Sequence, residues 1–217
     1  MLDKEAMSLL PDDDDLDLIH TRRYETRVYR LSDDEILVRG AVSDTKPAGL
    51  YVPDDPEPLE IHQMQVELRV ATAGLEIRSA RVLFETHPHS RCPVIAADYE
   101  KLVGLSIARG FTRKIRDLFG GPNGCTHTNA LLQAMAPAVV QSTWSLDIRR
   151  RRAAGIPQRA GASGERESLI RGQTNTCHVW DERGEHVAAA RRGERLESLL
   201  PVVNRLAELG RDDPFWD

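Results

Sequence analysis

Glu60-Ile61-His62-Gln63-Met64-Gln65-Val66-Glu67-Leu68-Arg69-Val70 alternates apolar and polar residues from Met64 onward. After a turn at Ala71 to Gly74 the chain resumes with Leu75, Ile77, Ala80, Val82 and Phe84. A period of two is the signature of a strand with one buried face. The two runs and the turn between them predict a long antiparallel hairpin. The parity of the apolar residues changes between Ile77 and Ala80, which predicts a bulge. The hairpin ends at Thr86-His87-Pro88-His89.

Working outward, Tyr24 to Tyr29 and Glu35 to Val42 read as two further strands around the turn Ser32-Asp33-Asp34. Lys46 to Pro58 holds four of the twelve prolines and reads as a loop. Residues 1–20 are acidic and aperiodic, the pattern of a disordered segment. Downstream, Asp98 to Leu105 and Thr112 to Phe119 have helical spacing, with Thr112 as an N-cap. A third helix starts after the turn Gly120-Gly121-Pro122-Asn123. It carries Leu131, Leu132, Met135, Val139, Val140 and Leu146, has Pro137 inside it, and runs into Arg149 to Arg152. Residues 153–164 read as a flexible loop. Thr176 to Trp180 and His186 to Ala189 read as a short hairpin, and Leu196 to Leu209 as an amphipathic helix capped by Gly210. The predicted fold is α+β, a single domain over residues 21–210. Its antiparallel β-sheet, with the long hairpin, packs against a central helix and a C-terminal helix.

The chain has 217 residues, 41% hydrophobic and 29% charged, enough for a substantial core. Its net charge of −5 and its 5% of aromatics argue against a nucleic-acid partner. No apolar run reaches the length of a membrane span, and the first residues lack the pattern of a signal peptide. The expectation is a cytoplasmic protein with no membrane partner, compatible with a homo-oligomer. The three cysteines are odd in number, so free thiols, metal ligands or plain core residues are better readings than disulfides.

Each cysteine has a histidine nearby. His87 and His89 precede Cys92, His127 follows Cys125, and His178 adjoins Cys177. Cys125 and His127 stand where the third helix begins, and a thiol there tends toward thiolate. Residues two apart in a helix point roughly 200° apart. The pair therefore converges only if Cys125 is the non-helical cap. Three readings stay open: a buried cap with a core histidine, a nucleophile with its acid/base partner, and a metal site. His62 shares its parity with Met64 and Val66, which puts it on the buried face. It needs a partner there: backbone, a carboxylate such as Glu85, or a ligand. Gly124, Asn129 and Gln141 are the candidate substrate contacts. The glycine turn lacks the Lys-Ser/Thr of a phosphate loop, and no G-x-S-x-G elbow occurs.

Ile61-His62-Gln63-Met64, Cys92-Pro93, Leu102-Val103-Gly104-Leu105 with Gly110-Phe111, Gly124-Cys125-Thr126-His127 with Gln141, and Cys177-His178 together resemble an uncharacterised bacterial family. It is a domain of unknown function with an IHDM strand, a CP…LVGL segment and a GCTHL helix start. The resemblance runs roughly from Arg22 to Val187. Gln63 stands here for the family's acidic residue and Thr128 for its leucine. A looser resemblance is to iron–sulfur cluster assembly scaffolds, which also combine an antiparallel sheet with a Gly-Cys helix start. The leading expectation is a small-molecule enzyme of bacterial catabolism, of lyase or hydrolase type. Cys125 would be nucleophile or ligand, His127 acid/base, and His62 their neighbour, with the helix start holding a small anionic ligand. The alternative is a non-catalytic metal or iron–sulfur module using Cys92, Cys125, Cys177 and His178. Zinc and iron are the metals such residues take, and the sequence requires neither.

Overall fold

The computed structural model describes residues 9–10, 15–108, 110–157, 167, 170–194, 196, 198–213 and 215–216. Most of the acidic N-terminus and most of the loop at 153–164 lie outside them. The chain divides into two compact units, Met1–Thr143 and Trp144–Asp217.

The first unit is built on a four-stranded antiparallel sheet in the order β1 (Thr21–Arg30), β2 (Glu35–Lys46), β3 (Leu59–Ala71), β4 (Ile77–Thr86). The expected hairpin is β3–β4, and the bulge falls where parity requires it. Arg69 pairs with Ser79 and Val70 with Ile77, which leaves Arg78 as the extra residue. The inner face is set by alternation. Ile36, Val38, Gly40 and Val42 of β2 sit opposite Val70, Leu68, Val66 and Met64 of β3. All eight are buried.

After β4 come a 3-10 segment (Cys92–Leu102), α1 (Phe111–Phe119) and α2 (Thr126–Ala153). The 3-10 segment starts before the expected Asp98, because Pro93 at its first turn has its φ already set. Gly110, at φ 85°, precedes α1 where Thr112 was expected as cap; Thr112 lies inside the helix. Phe111, Ile115 and Phe119 make a buried i, i+4, i+8 stripe on α1. On α2, Leu131, Met135 and Val139 make another, joined by Leu132. Gly40 lets α2 approach the sheet. A Cβ there would stand 2.4 Å from Met135 Sδ.

In the second unit the expected hairpin does not form. His178–Trp180 is a 3-10 turn, and Glu185–Arg192 is a helix, α3. The physical reason lies in the composition. Ala188, Ala189 and Ala190 favour helix over strand. Glu185 opens α3, Arg191 and Arg192 close it, and Gly193 caps it in the left-handed region at φ 81°. Ile170, Val187 and Ala190 are buried together, with Trp180 and Leu196 packed against them. The last helix, α4, covers Leu200–Glu208, shorter than expected because Pro201 sits in its first turn. Gly210 follows at φ 58°. Among the described residues no helix is long and apolar enough to cross a membrane.

Gly40→Ala should cost about 1–3 kcal/mol through overpacking against Met135. The cost should shrink in a Met135→Ala background. A urea-unfolding double-mutant cycle checks both, and equal costs in the two backgrounds would refute the contact.

Candidate functional site

The inner face of the sheet turns polar at one end. Asp44 continues the buried series of β2 two residues past Val42, and its side chain is only 3% exposed. It pairs in register with Arg22 on β1 and His62 on β3. Bulges interrupt β3 pairing on both sides of this row. Asp44 faces His62 but Thr45 faces Glu60, and Gln63 faces Thr86 but Met64 faces Phe84. Bulges re-aim side chains next to functional sites.

A buried carboxylate needs partners. Arg22 supplies a two-point fork, Nε to Oδ1 at 2.6 Å and Nη2 to Oδ2 at 2.7 Å. His20 Nε2 lies 3.4 Å from Oδ1. Oδ2 also faces two imidazoles, His127 Nε2 at 3.0 Å and His62 Nδ1 at 3.2 Å. The two rings stack with centroids 3.9 Å apart. His62 Nδ1 is buried and makes no hydrogen bond. Despite its distance it lies off the line that a bond to Asp44 needs. Of the partners open to His62, backbone, a carboxylate such as Glu85 or a ligand, the structure places a carboxylate beside it, that of Asp44 and not of Glu85, which is exposed.

His127 reaches the site because α2 begins where it does. The Cys125 carbonyl accepts the Asn129 N–H at 2.9 Å, so Cys125 is the cap and Thr126 the first helical residue. Tyr99 Oη accepts the Cys125 N–H at 2.9 Å and donates to Asn129 Oδ1 at 2.9 Å. Asn129 Nδ2 donates to the Phe119 carbonyl at 2.7 Å. Burial pushes the Tyr99 phenol up to about 12. Gly124 packs so closely on Phe119 that a Cβ would meet its carbonyl oxygen at 2.4 Å. From the cap, Cys125 Sγ lies 3.9 Å from His127 Nδ1, the nitrogen that faces away from Asp44.

Among the described residues, Asp44, His62 and His127 are the one group of three or more His, Cys, Asp or Glu with donor atoms close enough for a metal. Those atoms all lie within 4.8 Å of one another. Cys92, Cys125, Cys177 and His178 join no such group, and Cys177 is exposed in the second unit. The polar atoms of Asn129 are engaged in holding the helix start, and Gln141 is exposed on α2. The sequence reading brings His62, Cys125 and His127 forward and misses Asp44, Arg22 and His20.

Arg22 holds the Asp44 carboxyl at about 2, below its ordinary 3.8, against the opposing effect of burial. Burial lowers His127 below its ordinary 6.5, helped by His62 and Arg22 and opposed by Asp44.

The chain belongs to the family described as protein of unknown function DUF2889, matched over residues 20–141. The match spans Asp44, His62, Cys125 and His127 and stops short of Cys177-His178, which the sequence resemblance had included. No curated protein and no solved structure matches the chain.

Both shifted groups have depressed values in the folded chain, so both stabilise it at neutral pH and lose that effect in acid. For His127 the loss begins as pH falls below 6.5. For Asp44 it runs from about pH 4 toward pH 2 and amounts to roughly 2 kcal/mol. Urea unfolding of metal-free protein across this range should show both losses. His127→Gln should remove the upper one and Arg22→Leu the lower. A profile unchanged by either substitution would refute the assignment.

Proposed function

We propose that the chain is a small-molecule enzyme of lyase or hydrolase type that works through a divalent metal, zinc or iron, on Asp44, His62 and His127. The observation that carries this reading is the shared oxygen, with Asp44 Oδ2 standing 3.0 and 3.2 Å from the two imidazole nitrogens. Donors about 2.1 Å from one ion stand about 3.0–3.4 Å apart at tetrahedral or octahedral angles. Such a set would also give a partner to the Nδ1 of His62, which is buried without a hydrogen bond.

The size of the set favours catalysis over a structural role. Structural zinc is closed by four protein ligands, whereas catalytic metal keeps three and an open position. One carboxylate and two imidazoles leave that position, and the neighbouring His20 is 37% exposed, so the row opens to solvent on that side. When bound, the metal supplies Lewis acidity and a water ionised near neutral pH. Arg22 orients Asp44 and balances its charge. The lowered basicity of His127 keeps the ring neutral and its lone pair free. A small anionic substrate suits the start of α2, where backbone N–H groups favour negative charge.

A second reading keeps the thiol as nucleophile. Cys125 Sγ, His127 and Asp44 are strung in the order of a Cys-His-Asp relay, at 3.9 and 3.0 Å. That relay leaves His62 unexplained.

Protein grown with zinc and iron and purified without chelator should carry one ion per chain by elemental analysis. Asp44→Asn and His62→Ala should lose it while keeping the wild-type circular dichroism. Metal-loaded protein should hydrolyse activated esters, and Asp44→Asn should not. Metal-free wild type, with ester hydrolysis abolished by Cys125→Ser, would overturn the metal reading in favour of the relay.

A further inference from the structure

We propose that Cys125 is the positioning residue for the His127 ligand: its sulfur accepts the Nδ1–H and so leaves Nε2 as the lone pair aimed at the metal. This rests on the metal reading above and adds to it a role for the helix cap.

The argument begins with the two faces of one ring. Nε2 of His127 faces Asp44 Oδ2 and the His62 ring; Nδ1 faces Cys125 Sγ. A neutral imidazole carries one proton, and ligation by Nε2 requires that it sit on Nδ1. Metal-bound histidines almost always give that second N–H to an acceptor, which sets both tautomer and ring orientation. The contact at Nδ1 is the sulfur, at 3.9 Å, a length that sulfur acceptors allow. The thiol is excluded from the ligand group itself.

Cys125 is suited to the task because its backbone is fixed from outside the site. Tyr99 takes its N–H, and its carbonyl starts the helix that carries His127. Ring and acceptor therefore hang from one rigid turn. Without the metal, the thiol can turn its proton toward Nδ1, and Nε2–H then faces Asp44. A metal at Nε2 would select the other neutral tautomer: solvent takes the Nε2 proton and returns one to Nδ1, the thiol keeps its own proton and turns it away, and the Nδ1–H then faces sulfur. The contact is thus a two-way hydrogen bond that serves both states of one ligand.

The test is a zinc titration, by chelator competition, of metal-free wild type, Cys125→Ser and Cys125→Ala. Serine keeps an acceptor and should hold affinity within about threefold, while alanine should weaken it about 10–100-fold. Circular dichroism and melting of the metal-free variants show whether each is folded. A readout without substitution accompanies the titration: long-range 1H–15N correlation on zinc-loaded wild type should show His127 protonated at Nδ1. Wild type that binds no zinc defeats the metal reading itself. Wild type that binds zinc with alanine equally tight, or with His127 protonated at Nε2, defeats the positioning role alone. Cobalt-loaded wild type with a thiolate charge-transfer band that Cys125→Ser removes would make Cys125 a ligand, and also overturns the proposal.

Discussion

A carboxylate stands where the alternation of β2 buries it. Moving a charge out of water costs several kcal/mol unless partners replace the lost solvation. Asp44 is therefore stable at its position only with the groups that converge on it. Arg22 and His62 reach it along one row of the sheet, His20 from just before β1, and His127 from α2. The sheet register, the two bulges beside His62 and the start point of α2 are all constrained by the same oxygen atoms. A slip of one residue in β2 would turn Asp44 outward and bring Ser43 or Thr45 in.

The helix side of the site is held by a different kind of contact. Tyr99 stacks on Phe119 with centroids 4.5 Å apart, so a buried aromatic pair carries the hydroxyl that fixes the cap. Asn129 and Gly124 tie the same cap to the end of α1. The glycine turn before Cys125 is thus part of the site's construction. It lets the chain reverse tightly against Phe119, so that Cys125 leaves helical geometry while His127 is already inside it. This is how two residues that a helix would point apart come to within 3.9 Å.

Much of this was legible in the residues, and the misses share one cause. The hairpin, its bulge at Arg78 and the buried parity of His62 follow from the period of two. The placement of His127 follows from Leu131 and Met135, one and two turns on. Reading strands from apolar alternation, however, ends β2 at Val42 and starts β1 at Tyr24. Asp44 and Arg22 lie two residues beyond those limits. The hydrophobic signal stops where the polar row begins, so the pattern that finds the sheet hides the part of it that carries the site. Extending the same parity two residues past Val42 would have put Asp44 on the inner face beside His62. No comparable signal reports which carboxylate His62 meets, because that depends on the register between β2 and β3. The α3 region fails for another reason. A hairpin of Thr176 to Trp180 with His186 to Ala189 runs against the helix propensity of Ala188, Ala189 and Ala190, which decides the outcome.

The arrangement around Asp44 also makes its ionisation compatible with the ligand role proposed for it. A carboxylate locked by arginine on both oxygens is a weaker donor than a free one, yet Oδ2 has two lone pairs and the fork uses one. The second lies on the side of the two imidazoles. Arg22 thereby keeps Asp44 charged and fixes its plane, which a monodentate ligand needs. The two rings contribute no charge while neutral, so the net charge of Arg22, Asp44 and the imidazoles is close to zero. A divalent ion entering that set would meet no surplus of negative charge, and its affinity would rest on geometry. Geometry is what the stacked rings, the fork and the pinned helix cap supply.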